Sequence, residues 1–294
     1  MGIKMPGKLI LQPPSIIVKM RSIKYFLSCY MFRYVEYPVG ASVASYIKKC
    51  WVLDNSNNPN PLTDKQVLPN GCFNIAFISG EGIAITGAKV NAILGKGGYL
   101  CGQLTSSINI HLYGNTKIFL VQFYPWSPLL FMKDPLYETA DSFIPIALTS
   151  HSLNLNFDIA DEKQIMNYFN SGAFIGNETV IKPAMNVCQL IRRSKGNIAI
   201  SELADQTGWS NRYLETVIKS ALGLSPKEYA GIIRIRSLID RWQIASGIRF
   251  SNLALEEGFY DQAHFIKTFK TMLNVSPGKF RKENYILTNS GISY

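Results

Sequence analysis

The sequence predicts a multidomain α+β fold, in which a small β-rich N-terminal domain, barrel-like or sandwich-like, precedes an all-α domain with two helix-turn-helix units joined by a long helix. Three observations lead to this prediction. Residues 108–113 alternate strictly between apolar and polar side chains, as a half-buried strand does. Helix-turn-helix spacing occurs twice between residues 200 and 271. Between the two repeats, Pro226 begins a third helical pattern, 226–245.

Length and composition restrict the class of protein. The chain has 294 residues, which suggests two domains, and its 47% hydrophobic and 17% charged residues are typical of a globular protein. The most apolar early stretch, residues 25–32, is far shorter than the ~20 apolar residues of a membrane span. We therefore predict a cytoplasmic protein with no membrane partner.

The cysteines argue against the common cysteine-based sites. They form no Cys-x-x-Cys pair, have no histidine cluster nearby and are odd in number. We predict reduced, mostly buried thiols, no metal site and no cofactor. The five cysteines are Cys29, Cys50, Cys72, Cys101 and Cys188.

Strand and turn patterns organise the N-terminal half. Residues 1–32 show no periodicity and are predicted to be a poorly ordered leader. Residues 33–148 form the predicted β-rich domain, in which a hairpin joins strand 108–113 to strand 117–124. Further predictions are strands at 50–53 and 73–78, hairpins in the glycine-rich stretch 80–98, and a linker with a helix at 149–179.

The all-α domain is predicted at residues 180–286, followed by a tail at 287–294. Apolar residues at helical spacing, beginning with Val180, predict its first helix at 180–193. In the first helix-turn-helix unit, Gly208 ends a short helix and Ser210 caps a second helix that runs to about residue 222.

The second helix-turn-helix unit repeats this pattern. Gly258 ends one helix and Asp261 caps the next, predicted at 261–271. Its apolar residues Phe265, Phe269 and Met272 recur on one face, opposite polar and small residues. Residues 182–283 hold 16 basic and nine acidic residues, so the positive charge is concentrated around the two units, as phosphate binding requires.

These tracts resemble the two-headed DNA-binding domain of AraC/XylS-type bacterial transcription regulators. The resemblance covers roughly a hundred residues, and the β-rich region resembles a domain that often precedes such DNA-binding domains. The C-terminal matches are 200–204, 208–210, Tyr213-Leu214, 223–229, Arg234, 253–259, 261–265, Phe269-Lys270 and 275–281. The N-terminal matches are 46–51, Pro69-Asn70-Gly71-Cys72, Gly102-Gln103 and 121–125.

The resemblance implies a sequence-specific regulator whose two recognition helices read successive major grooves of double-stranded DNA. It also implies control by a small-molecule effector or by dimerisation through the N-terminal domain, with RNA polymerase as a partner of an activator. The family often has a basic residue at the position of Thr216, so base readout by the first unit depends more on Arg212. The predicted base contacts are Arg212, Glu215, Thr216, Gln262, Ala263 and Lys267, and the predicted phosphate contacts are Ser210, Lys219, His264, Lys270, Lys279 and Arg281.

Several of these assignments have alternatives. Glu215 accepts from cytosine or instead holds Arg212 through an i,i+3 pair, and Gln262 reads a base or caps its own helix. Lys267 contacts a base or a phosphate. For the whole chain, one alternative is an N-terminal domain that binds a protein and takes no small ligand. Another is a DNA-repair alkyl acceptor, an enzyme class that the cysteine spacing disfavours.

Overall fold

The computed structural model describes residues 32–244 and 250–286. The predicted leader, except its last residue, and the predicted tail at 287–294 lie outside the described residues. So does residue 245, the predicted end of the long helix.

In the described part of the chain, ten strands form two antiparallel sheets. The first sheet has the order β1-β2-β9-β4-β7-β10, and the second has the order β3-β8-β5-β6. The predicted β-rich fold is therefore a two-sheet sandwich. The strands are β1 (Arg33–Tyr37), β2 (Ile47–Asn55), β3 (Leu62–Val67), β4 (Phe73–Ser79), β5 (Ile83–Gly87), β6 (Asn91–Leu94), β7 (Gly97–Cys101), β8 (Ile108–Leu112), β9 (Thr116–Phe123) and β10 (Phe143–Pro145).

The six-stranded sheet is covered on both faces. Along β4, Phe73, Ile75 and Phe77 belong to the core that includes the helices, whereas Ala76 and Ile78 belong to the core between the two sheets. Successive side chains of a strand point to opposite faces, so a sheet packed on both sides needs apolar residues at consecutive positions. This explains the apolar run at residues 75–78 of β4.

The helices begin and end close to the predicted caps. The prediction of a helix at 180–193 was wrong at its start: Val180 lies in a separate 3₁₀ turn, 178–181, and is 47% exposed. Asn177 caps that turn, and Pro183 occupies the first turn of α2. The helices are α1 (Glu162–Asn170), α2 (Lys182–Arg193), α3 (Ile200–Thr207), α4 (Asn211–Leu222), α5 (Pro226–Ile244), α6 (Phe250–Glu256) and α7 (Gln262–Leu273).

Helix α7 extends two residues beyond its predicted end. Asn274 adopts the left-handed conformation with φ 57° and caps the helix, so the last turn includes Leu273. Leu273 follows Phe269 by four residues and is buried on the same side, whereas Met272 is only half-buried.

Two hydrophobic cores divide the helices. We call α3 and α4 the first head, and α6 and α7 the second head. The first head shares a core with the six-stranded sheet, α1 and α2, and this core reaches Ile233 of α5. The second head forms another core that starts at Ile235 of α5 and includes Leu68 of the sandwich. Helix α5 therefore runs through both cores.

Four thiols in the described residues, those of Cys50, Cys72, Cys101 and Cys188, are free and buried. Burial raises the pKa of the Cys50 and Cys101 thiols to about 12, which keeps them protonated at neutral pH. The part of the chain with assigned positions holds no group of three or more His, Cys, Asp or Glu residues arranged to bind a metal ion. Among the described helices, none has both the length and the apolar character needed to cross a membrane.

Candidate nucleic-acid interface

The first head is shaped by local capping. Gly208 has φ 69° and ends α3, and the Ser210 hydroxyl accepts a hydrogen bond from the Tyr213 amide at 3.2 Å at the start of α4. Leu214 and Ile218 are fully buried, which fixes the rotation of α4 about its axis. The predicted helix boundaries and cap of this head are confirmed.

The outward face of α4 carries the predicted DNA contacts Arg212, Glu215, Thr216 and Lys219, all exposed. The Thr216 hydroxyl donates to the Arg212 carbonyl at 2.9 Å, so its methyl group is the part left for an outside contact. Among the ion pairs between described residues, none joins Arg212 to Glu215. The alternative role of Glu215, holding Arg212 in place, is therefore not realised in this structure.

The second head has the same construction. Asp261 accepts a hydrogen bond from the His264 amide at 2.7 Å, so Asp261 caps α7 and Gln262 does not. Gln262, Ala263 and Lys267 are exposed on the outer face. The exposed His264 ring also lies 5.7 Å from the ring of Phe259, so it packs at the edge of the core.

The predicted phosphate contacts surround these two faces. The Arg281 guanidinium donates to the carbonyls of Gly278 and Phe280, at 3.2 and 3.0 Å, which holds it close to the backbone. Lys219 and Lys270 lie in the last turns of α4 and α7, where a cation is also favoured by the helix dipole. The structure places Ser210, Lys219, His264, Lys270, Lys279 and Arg281 at exposed positions.

Arg234 has a role that the sequence did not predict. It donates to the Gly196 carbonyl from Nε at 3.1 Å and from Nη2 at 2.6 Å, and to the Gly258 carbonyl from Nη1 at 3.4 Å. Gly196 precedes the first head, and Gly258 lies between α6 and α7. Burial lowers the pKa of this guanidinium. One side chain of α5 therefore binds the backbone beside both heads. Arg236, two positions further along α5, instead pairs with Asp240 at 3.1 Å.

The sandwich contacts the long helix through one of the turns singled out in the sequence. Gly71 has φ 66°, and a Cβ at this position would lie 2.8 Å from the Tyr229 ring and 3.0 Å from Ile233. Both partners belong to α5. Residues 69–72 are therefore an interdomain contact, which explains why a glycine stands at this position.

The geometry agrees with comparisons to known proteins. A model described as a helix-turn-helix domain matches residues 203–283, and a model described as a domain of unknown function (DUF6597) matches residues 35–145. The probable transcription factor PqrA of Proteus vulgaris is 32% identical over 94 residues, which are 31% of this chain and 74% of PqrA. This chain belongs to the AraC-type family of DNA-binding transcription regulators.

Other similarities of this AraC-type regulator are weaker. The Msm operon regulatory protein of Streptococcus mutans is 28% identical over 88 residues, which are 30% of this chain and only 31% of that protein. ToxT from Vibrio cholerae aligns with a TM-score of 0.44 and 12% identity over 80% of this chain and 96% of ToxT. The C-terminal domain of AraT, a response regulator from Geobacillus stearothermophilus, aligns with a TM-score of 0.32 and 23% identity over 36% of this chain and 88% of that domain.

Proposed function

We propose that this AraC-type regulator binds a specific DNA site with both heads, α4 and α7 entering successive major grooves. The observation that carries the proposal is the pair of exposed, polar helix faces on α4 and α7, which precede and follow α5 in the chain. With 19 residues, α5 is about 28 Å long, close to the ~34 Å of one DNA turn. If the heads lie closer than one turn, the duplex bends toward the protein. We take residues 180–286 as the DNA-binding region.

The side chains of the two outer faces differ in what they can read. Arg212 has a planar fork that pairs with guanine O6 and N7, and Gln262 pairs in the same way with adenine N6 and N7. Thr216 and Ala263 are short enough to contact a thymine methyl, and Glu215 accepts from cytosine N4. Lys267 is a point charge and suits a phosphate. We therefore assign sequence readout mainly to the first head.

Arg212→Ala is expected to weaken binding by about 1–3 kcal/mol at one base pair and to relax the preference there. Lys267→Ala is expected to weaken binding to all sites evenly and to lower the salt slope by about one. Titrations of both variants against a panel of single-base operator variants measure the difference. Operator sequences are first obtained by selection from random DNA with the full chain.

The two effects should add in the double variant, because the side chains lie on different heads and share no partner. A uniform loss for Arg212→Ala together with a position-specific loss for Lys267→Ala would reverse the assignment. If wild type itself binds all operator variants equally, specific recognition is refuted.

The proposal includes control by a small effector held between the two sheets. The sheets enclose a cavity of about 100 Å³, lined by side chains that are almost all apolar. Asn74 is the one amide side chain among its described lining residues, and its Oδ1 already accepts from Gln122 Nε2 at 3.3 Å. The Asn74 amide nitrogen is left to donate. The cavity therefore suits a small apolar molecule with one acceptor group.

A cavity-filling substitution tests this site. Ala76 lies in the cavity wall, so Ala76→Leu is expected to remove the space and with it the binding of a probe such as 1-hexanol. Saturating probe should raise the melting temperature of wild type by about 2–4 °C more than it raises that of Ala76→Leu. Differential scanning fluorimetry measures both. Ala84→Leu, on the opposite face of β5, is the matched control and should respond like wild type. Equal shifts in wild type and Ala76→Leu would argue against a ligand in this cavity.

The remaining partners follow from the same proposal. A regulator that activates transcription contacts RNA polymerase, and a second copy of the chain is the candidate for dimerisation through the sandwich. We propose a cytoplasmic, non-enzymatic protein, because the family acts by binding DNA. The competing function is an N-terminal domain that binds a protein partner instead of a small ligand, and it predicts no response to any cavity probe.

A further inference from the structure

The loop between β7 and β8, residues 102–107, links the cavity to both heads. Gly102 and Leu104 line the cavity, directly after Cys101 and before Ile108, which line it as well. The same loop then contacts the C-terminal ends of α4 and α7. The Gly102-Gln103 pair was one of the sequence motifs without an assigned role.

The loop reaches the first head through Gln103. This side chain is fully buried, and its Nε2 donates to the Leu222 carbonyl, at the end of α4, at 3.4 Å. Its Oε1 has no hydrogen-bond partner within the described residues. The neighbouring segment supports this contact, because the Leu136 amide donates to the Ser220 carbonyl of α4 at 2.8 Å. The last turn of α4 thus receives donors from the sandwich.

The loop reaches the second head through Ser107. The Ser107 amide donates to the Met272 carbonyl of α7 at 2.6 Å. In return, the Asn274 amide group donates to the Ser107 carbonyl at 3.0 Å and to its hydroxyl at 3.2 Å. Asn274 is also the C-cap of α7, so this bond is made at the end of the recognition helix.

Residues 139–142 hold the loop in place. A Cβ at Gly102 would lie 1.6 Å from the Thr139 carbonyl oxygen, so the backbone of the loop touches the segment 139–142 directly. Asp141 accepts hydrogen bonds from the Thr105 amide, at 2.7 Å, and from the Thr105 hydroxyl, at 2.5 Å. In a loop held in this way, a shift of residue 102 at the cavity also shifts residue 107 at α7.

We propose that the β7–β8 loop fixes the distance and rotation between the two recognition helices, with Gln103 and Asn274 as positioning residues. The heads belong to different hydrophobic cores, and α5 contributes residues to both. The loop connects the C-terminal ends of α4 and α7 to each other. Because the loop also lines the cavity, a molecule bound in the cavity acts on the same distance and rotation between α4 and α7. This inference rests on the proposed two-headed binding of DNA.

Two substitutions remove the side-chain bonds between the loop and the heads, and leave the backbone bonds of the Ser107 and Leu136 amides in place. Gln103→Met keeps the volume of the side chain and removes its donor together with the unpartnered oxygen. Asn274→Gly removes the bonds to Ser107 but keeps a residue suited to the left-handed cap. Asn115→Gly is the matched control: Asn115 has φ 51°, is exposed and lies beyond the opposite end of β8.

The measurement is the affinity of the full chain for DNA in which the two half-sites are moved apart by one base pair. That insertion shifts one half-site by about 3.4 Å and rotates it by about 35°. Wild type and Asn115→Gly are expected to lose about tenfold in affinity, because two heads held at a fixed distance cannot reach both half-sites after the insertion. The double variant Gln103→Met/Asn274→Gly is expected to lose no more than about twofold. Affinity for a single half-site should be unchanged in all three proteins.

The outcomes separate this inference from the function on which it rests. If wild type discriminates the spacings and the double variant does so equally, the loop does not set the spacing and the inference is wrong. If the double variant loses affinity equally for half-sites and full sites, the residues act on folding and not on position, which also overturns it. If wild type itself is indifferent to spacing, two-headed recognition fails, and the inference fails with it.

Discussion

Raising the salt concentration from about 50 to 200 mM is expected to weaken the binding of the full chain to its operator about 500-fold. Five exposed cations are the phosphate contacts of the proposed interface, and each neutralised phosphate adds about 0.9 to the magnitude of the slope of log affinity against log salt. The expected slope is therefore about −4.5. The five are Lys219, Lys267, Lys270, Lys279 and Arg281.

Fluorescence anisotropy with a labelled duplex at several salt concentrations measures this slope. The double variant Lys270→Ala/Lys279→Ala should reduce its magnitude by about two. Lys163→Ala removes an exposed cation from α1, outside both heads, and should leave it unchanged. A wild-type slope near zero would mean that these cations do not contact phosphates, and the proposed interface would have to lie elsewhere.

The second large effect concerns stability. Arg234→Met is expected to lower the free energy of unfolding by about 3 kcal/mol, because hydrogen bonds from a charged donor contribute about 1.5–3 kcal/mol each and two backbone carbonyls lose their partner. The methionine keeps much of the apolar stem of arginine, so the loss reports mainly on the guanidinium. Urea unfolding followed by circular dichroism measures it.

Two further variants interpret this result. Arg193→Met removes an exposed arginine at the end of α2 and should stay within about 0.5 kcal/mol of wild type. Arg234→Lys retains a charge but not the fork, so it should recover only part of the loss. A change below about 0.5 kcal/mol for Arg234→Met would show that the carbonyls of Gly196 and Gly258 find other donors.

The parts of the fold that the sequence predicted are those determined by neighbouring residues. Ser210 and Asp261 cap the helices that follow them, and Gly208 ends α3, because capping depends on atoms within one turn. Outward-facing positions such as Arg212 and Lys267 follow from helical spacing once the buried face is known. Which bases or phosphates they contact stays a prediction.

The parts that were missed depend on residues far apart in the chain. Arg234 binds carbonyls 38 and 24 positions away, and Asn274 bonds to a residue 167 positions away. No periodicity or local propensity records such pairings. Gly71 and Gly102 were visible as motifs in the sequence, but the α5 side chains and the Thr139 carbonyl that require them come from the tertiary fold.

The shared core of the six-stranded sheet and the first head limits how such a protein can be recombined. The regions matched by family models, 35–145 and 203–283, are separate in sequence, yet the first head is buried together with the sheet. A chimera that exchanged residues 35–145 alone would place foreign side chains against α1, α2, α4 and α5. A functional exchange of N-terminal domains therefore has to include these facing side chains as well, together with the contacts that Leu68 and Ser107 make with the second head.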